Sequence, residues 1–233
     1  MKLNLNSLPA RADFVDETYR VLVDAITDGS LAPGERITQE EIAEQLGVSR
    51  SPVLQALRLL KNDGFIEDAP GRGVQVTQLD IVWVANLYQV RGALDALAAK
   101  LAANKRFRID PALIQHGRSV SDGEDLRAII DADLAFHNAI YEASGNPLIQ
   151  ESAHRHWMHL RRVMGAVHRA SKHRASLWDE HQAIADAIAE GNAKRAVSLS
   201  DLHIEKARAN LVSELERLYP LSPSIKPKDT ATV

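Results

Sequence analysis

Residues 38–66 read TQEEIAEQLGVSRSPVLQALRLLKNDGFI, and this stretch decides the fold of the N-terminal part of the chain. Thr38 and Glu41 stand three apart, the spacing at which a hydroxyl and a carboxylate satisfy each other's backbone N–H at a helix start. Ile42 and Leu46 give that helix one apolar face. Gly47 supplies the left-handed conformation that ends a helix and turns the chain sharply. Ser49 is placed to cap a second helix, and Pro52 falls in its first turn, where a missing N–H costs nothing. Val48 and Val53 have the spacing of a hydrophobic staple. Val53, Leu57 and Leu60 continue an inward stripe, while Arg50, Ser51, Leu54, Gln55 and Arg58 fall largely elsewhere. Two short helices joined by a tight turn, the second opening on Ser-Arg-Ser, have the geometry that enters a DNA major groove.

Working outward, residues 12–28 predict a helix with Val15, Leu22, Ala25 and Ile26 on one side, ended by Gly29; Pro33-Gly34 then makes a turn. Residues 1–11 read as a flexible arm. After Gly64, FIED and GVQV predict two short strands around Ala-Pro-Gly-Arg-Gly at 69–73. A hairpin in that place is a wing. Its tip carries Arg72 between Gly71 and Gly73, which let a backbone approach a phosphate or a minor groove closely. A solvated hairpin tip is the plain alternative.

The totals limit the function classes. A length of 233 residues suggests one large domain or two small ones. The absence of cysteine excludes disulfides and thiolate metal sites and suits a reducing cytoplasm. No run reaches the ~18 apolar residues of a membrane span, and the first residues lack a signal-peptide core. Residues 1–78 hold eight Lys/Arg and twelve Asp/Glu, a net of −4, so any DNA contact must come from a local patch and not from bulk charge. All nine histidines lie at or after His116, which suggests two halves with different chemistry.

From 80 to 218 the pattern is helical, with segments near 80–104, 110–118, 123–143, 147–169, 174–190 and 192–218. Breaks fall at Asp110-Pro111, Asp122-Gly123, Gly145-Asn146-Pro147 and Gly191-Asn192, and the short turns argue an antiparallel bundle. The expected fold is mainly α: a winged helix-turn-helix over 12–77 and an all-α bundle over 78–219, with a disordered tail over 220–233.

The bundle carries a second chemistry. Asp133 and His137 stand four apart on one helix and point the same way. His181 continues the line of Ile184 and Ile188, and His203 lies at helical spacing from Ala196, Leu199 and Lys206. Singly, each is more often a hydrogen-bonded core side chain; together, one carboxylate and three imidazoles suit a divalent metal such as zinc, nickel or manganese. The other six histidines, His116, His154, His156, His159, His168 and His173, carry no assigned role. Arg91 occupies an inward position in the series Val84, Leu87, Arg91, Leu94, Ala98, Leu101, where a buried cation must be paired, either by Asp95 or by a bound acid. Arg161, four after Trp157, is a weaker candidate for binding that acid, since a pair such as Arg161-Arg162 is more often a solvated or interface charge pair. A metal-dependent hydrolase is the competing reading, since such a centre activates water, although no general base stands out beyond the ligands. An architectural DNA-binding protein without metal is a third.

LAPGERI at 31–37, EEIAEQLGVSRSPV at 40–53, ALRLLKNDGFI at 56–66 and GRGVQV at 71–76 resemble the winged helix-turn-helix of GntR-family transcriptional regulators. The resemblance implies a DNA-facing set of Arg36, Ser49, Arg50, Ser51, Arg58 and Arg72, with Gln55 as a further base reader. Many members carry Arg where this chain has Glu40 and Leu54, which leaves that set poorer in charge. Residues 80–218 resemble the FCD effector domain of the FadR-type branch, and six helices bring it nearer the VanR-like group. There an Asp and a His one turn apart and two later histidines bind a metal, the pattern of Asp133, His137, His181 and His203. The resemblance implies a homodimeric, cytoplasmic repressor that binds a palindromic operator and responds to a small organic acid.

Overall fold

The computed structural model describes residues 14–168 and 175–218. The expected arm (1–11), the expected tail (220–233) and His173 fall outside the described residues. The chain separates into two compact units between Gln78 and Leu79.

The first unit runs α1 (Phe14–Asp28), β1 (Arg36–Ile37), α2 (Gln39–Leu46), α3 (Arg50–Asn62), β2 (Ile66–Asp68) and β3 (Val74–Val76). The capping box forms: the Glu41 N–H donates to the Thr38 hydroxyl, and the Thr38 N–H donates to the Glu41 carboxylate at 2.8 Å. Gly47 ends α2 at φ 64°. Ser49 occupies the cap position of α3, but its hydroxyl makes no cap hydrogen bond. The reason is local. One of the two N–H groups a cap hydroxyl can reach belongs to the third helical residue, which here is Pro52 and has none. Val53, Ala56, Leu60, Phe65 and Val76 are fully buried beneath α3 and the wing.

The wing is a three-stranded antiparallel sheet in the order β1-β3-β2, with Ile37 opposite Val74 and Ile66 opposite Val76. β1 was not expected, because two residues are too few to show the alternation that marks a strand. It explains Gly73. A Cβ there would stand 2.7 Å from the Ile37 carbonyl oxygen, at a φ of 93°. The missing Cβ of Gly73 lets the neighbouring strand approach closely.

The second unit contains α4 (Ile81–Asn104), α5 (Pro111–Ser121), α6 (Leu126–Ser144), α7 (Pro147–His168), α8 (Ala175–Ala189) and α9 (Ala193–Leu218). Aspartates start three of them: Asp80, Asp110 and Asp125 accept from backbone N–H groups of the first turns of α4, α5 and α6. The Asp125 cap is why α6 begins at Leu126 and not at the Asp122-Gly123 break. Helix α4 packs against α6, α7, α8 and α9. Its Ala98, Ala99, Ala102 and Ala103 have no exposed surface, so small side chains let its neighbours approach closely.

Helix α5 touches α8 through a position that admits no side chain. A Cβ on Gly117 would fall 1.9 Å from the ring of Trp178, which is itself buried. Gly117→Ala is expected to cost about 1–3 kcal/mol or more through forced repacking. Because the Trp178 ring packs edge-on to His181 at 4.7 Å, the same variant should also displace that imidazole. An unchanged thermal midpoint would mean that the indole has room to move.

Candidate metal centre and DNA-facing surface

Helix α3 turns Val53, Ala56, Leu57 and Leu60 inward and leaves Arg50, Ser51, Leu54, Gln55 and Arg58 exposed on the other side, with Ser49 just before them. The amphipathic spacing alone produces this division. The remaining expected DNA contacts, Arg36, Gly71 and Arg72, are exposed in the wing, and Gly73 is half-buried against β1. These groups are not independent. The Arg36 guanidinium donates to the carbonyl of Arg72. The Arg72 guanidinium donates to Glu40 at 2.8 Å, and Arg50 Nη1 lies 3.3 Å from the same carboxylate oxygen.

In the second unit, Asp133 and His137 project from α6, His181 from α8 and His203 from α9, all buried. The three imidazoles bring ligand atoms within 4.8 Å of one another. Asp133 Oδ1 stands 3.4 Å from His181 Nε2 and 3.9 Å from His137 Nε2. Donor atoms on one small divalent ion stand roughly 3–4 Å apart. The fit rests on unpartnered atoms. Asp133 Oδ1, His137 Nε2 and both ring nitrogens of His181 are buried with no hydrogen-bond partner. A buried polar group left without a partner costs about 1–3 kcal/mol. A divalent cation resolves all but one of these atoms. Phe136 stacks on the His181 ring at 4.0 Å and Trp178 meets it edge-on, which fixes the ring in place.

Two carboxylates stand beside the candidate ligands, and one of them is hydrogen-bonded. His203 Nδ1 meets Glu180 Oε2 at 2.9 Å, and Lys206 holds the other Glu180 oxygen at 2.7 Å. Asp95 Oδ2 lies 3.5 Å from His137 Nδ1. The Glu180 contact leaves the Nε2 lone pair of His203 free for a metal. Burial, followed by the nearby positive groups, holds His137 and His181 well below the ordinary histidine range, so both are neutral and ready to ligate at physiological pH. Burial raises the Asp133 carboxyl against the opposing pull of Arg91.

Arg91 sits beside this centre, 2% exposed. Its Nε lies 3.3 Å from Asp95, and its guanidinium covers the Trp157 ring at 4.2 Å. Tyr141 donates to Asp95 as well. Asp95 is thus the internal partner of Arg91. Arg161 is not brought into the cluster. It pairs with Asp131 at 3.1 Å with part of its side chain exposed, and its neighbour Arg162 is the buried member of the two.

Known proteins similar to this chain cover both units. The model of the bacterial regulatory proteins of the gntR family matches residues 14–76, and that of the FCD domain matches residues 86–206. The HTH-type transcriptional regulator LutR of Bacillus subtilis is 30% identical over 77% of this chain and 92% of its own length. The chain belongs to the GntR family. An HTH-type transcriptional regulator from an unstable DNA locus of Streptomyces ambofaciens is 28% identical to this GntR regulator over 93% of the chain and 91% of its own length. The structure of Escherichia coli McbR/YncC covers 88% of the chain and 99% of its own at a TM-score of 0.74 and 20% identity, and so shares its fold.

This GntR regulator is accordingly a DNA-binding transcriptional regulator with an FCD domain, and not an enzyme; the hydrolase reading finds no support among its relatives. Among the described residues no helix is long and apolar enough to cross a membrane. Sequence reasoning missed the role of Glu180, which precedes a ligand by one position and faces a different helix from it. It named Asp95 only as a partner for Arg91. An acidic residue next to a proposed ligand, with a second one turn after a buried arginine, was the available signal.

Proposed function

We propose that this regulator binds a palindromic operator as a homodimer and leaves it when a small organic acid binds beside a divalent metal in the FCD domain. The operator set is Arg36, Ser49, Arg50, Ser51, Gln55, Arg58, Gly71, Arg72 and Gly73. The metal ligands are Asp133, His137, His181 and His203, and the metal is zinc, nickel or manganese. One observation carries the effector reading: a buried cation, Arg91, paired at 3.3 Å with Asp95, lies in the same buried cluster as Asp133 and three convergent histidines. A metal held by protein groups and a guanidinium nearby is a donor set that takes an organic carboxylate. Arg161, tied to Asp131, could serve only after that pair opens.

The dimer reading has its own support. Trp83, Val90 and Leu97 are exposed on α4 at seven-residue intervals, with Val82 beside them. Apolar side chains repeating every seventh residue form one stripe along a helix, which a second helix can cover. One recognition helix offers too little contact for useful specificity, whereas two related by a twofold axis read two half-sites. Effector binding then shifts the population between states of different operator affinity.

The test uses the metal-loaded full chain on an operator selected from a randomised pool, challenged with a panel of small mono-, di- and hydroxycarboxylates. At least one acid is expected to release the operator, and Arg91→Gln is expected to abolish that response while metal content is retained. A response that survives in Arg91→Gln, or no response to any acid, would overturn the effector reading.

A further inference from the structure

Glu40 lies in the first turn of α2, and one of its carboxylate oxygens serves cations from two other elements. Arg72 Nη2 at the wing tip is 2.8 Å away, and Arg50 Nη1 at the first residue of α3 is 3.3 Å away. The Glu40 side chain is 34% exposed, against 66% for Arg50 and 81% for Arg72. The backbone of both arginines is held as well: Gln39 donates to the Arg50 carbonyl at 2.6 Å, and Arg36 donates to the Arg72 carbonyl. The two ends of the DNA-facing surface are thus joined through one anion.

We infer that Glu40 is a specificity-determining residue that acts as an internal stand-in for phosphate: its carboxylate occupies Arg50 and Arg72 and so suppresses sequence-independent binding to DNA. A guanidinium makes the same charge-assisted pair with a carboxylate as with a phosphate. On DNA of arbitrary sequence the driving force is counterion release by protein cations. A guanidinium already neutralised by Glu40 contributes less to it. On the operator, hydrogen bonds to base edges add a second driving force, and an exposed ion pair is weak enough for that sum to displace. Glu40 therefore penalises the wrong partner more than the right one. The backbone N–H of Glu40 itself, then Arg72 and Arg50, hold its carboxyl below the usual range, so the anion persists at physiological pH. The net charge of −4 over residues 1–78 acts in the same direction.

The inference rests on placing Arg50 and Arg72 at the DNA, and its test separates the two claims. The full chain is titrated at several salt concentrations with its selected operator and with a scrambled duplex of equal length. Glu40→Gln is expected to tighten scrambled-duplex binding about tenfold and to steepen its salt slope by about one phosphate equivalent per freed arginine. Operator binding should tighten less, so the ratio of specific to non-specific affinity falls. Glu44→Gln removes the same charge one turn further along α2 and should change little. In an Arg72→Gln background the Glu40→Gln effect should shrink. Unchanged scrambled-duplex affinity in Glu40→Gln, or an equal gain in Glu44→Gln, overturns the proposal. A changed base preference at one position with unchanged scrambled-duplex affinity overturns it as well, making Glu40 a base reader. If Arg50→Ala and Arg72→Ala weaken neither duplex, the DNA-facing assignment fails first.

Discussion

Arg50→Ala is expected to abolish operator recognition while leaving the fold and the metal content intact. Arg50 is the first residue of α3 and stands exposed at the end of the helix that recognition helices present to base edges. A bidentate arginine–base contact is worth about 1–3 kcal/mol per half-site. A twofold operator loses it twice, so affinity should fall by roughly 30-fold to more than a thousandfold. The fold has little to lose. Arg50 is not part of the core formed by Val53, Ala56 and Leu60, and its ion pair with Glu40 is exposed, so it contributes about 0–1 kcal/mol. Fluorescence anisotropy with the selected operator and a scrambled duplex, beside elemental analysis of the same preparation, measures each part. Retained specific binding would remove α3 from the role of reader.

His181→Ala is expected to empty the metal centre. Losing a hydrogen-bond partner of a ligand already costs about 10–100-fold in affinity, and loss of a ligand should cost more. His181 is fully buried between Phe136 and Trp178, so its truncation also leaves a cavity. The measurement must separate those two effects. Thermal midpoints of the metal-free wild type and variant report the cavity. The gain on adding metal reports the site: at a hundredfold excess over Kd the wild type gains about 2.7 kcal/mol, and the variant should gain nothing at that concentration. Equal metal-to-protein ratios in the two proteins would eliminate the proposed ligand set.

The capping box at Thr38, the Gly47 turn and the inward stripe of α3 were legible because each depends on residues within four positions of one another. The Ser49 cap was legible as a place but not as a bond, since Pro52 removes one donor it needed. In the bundle, Asp133 and His137 could be paired from spacing on one helix. Their meeting with His181 and His203 came from resemblance and from the apolar lines those histidines continue. Arg161 and Arg162 are adjacent in the chain, and periodicity did not show that the second is the buried one.

The sequence by itself determined the order of elements, the faces they bury and the residue types that converge in the bundle. These follow from backbone hydrogen bonding and side-chain period, which act over a few residues. Only the tertiary structure decided which charges distant in the chain face one another. Glu40 joins Arg72 across 32 positions, Glu180 meets His203 across 23, and Asp95 meets Tyr141 across 46. No local periodicity encodes such pairings. They arise when packed helices and a wing bring distant side chains within a few ångströms, where the cost of an unpaired buried group or the attraction of an exposed one selects the partner.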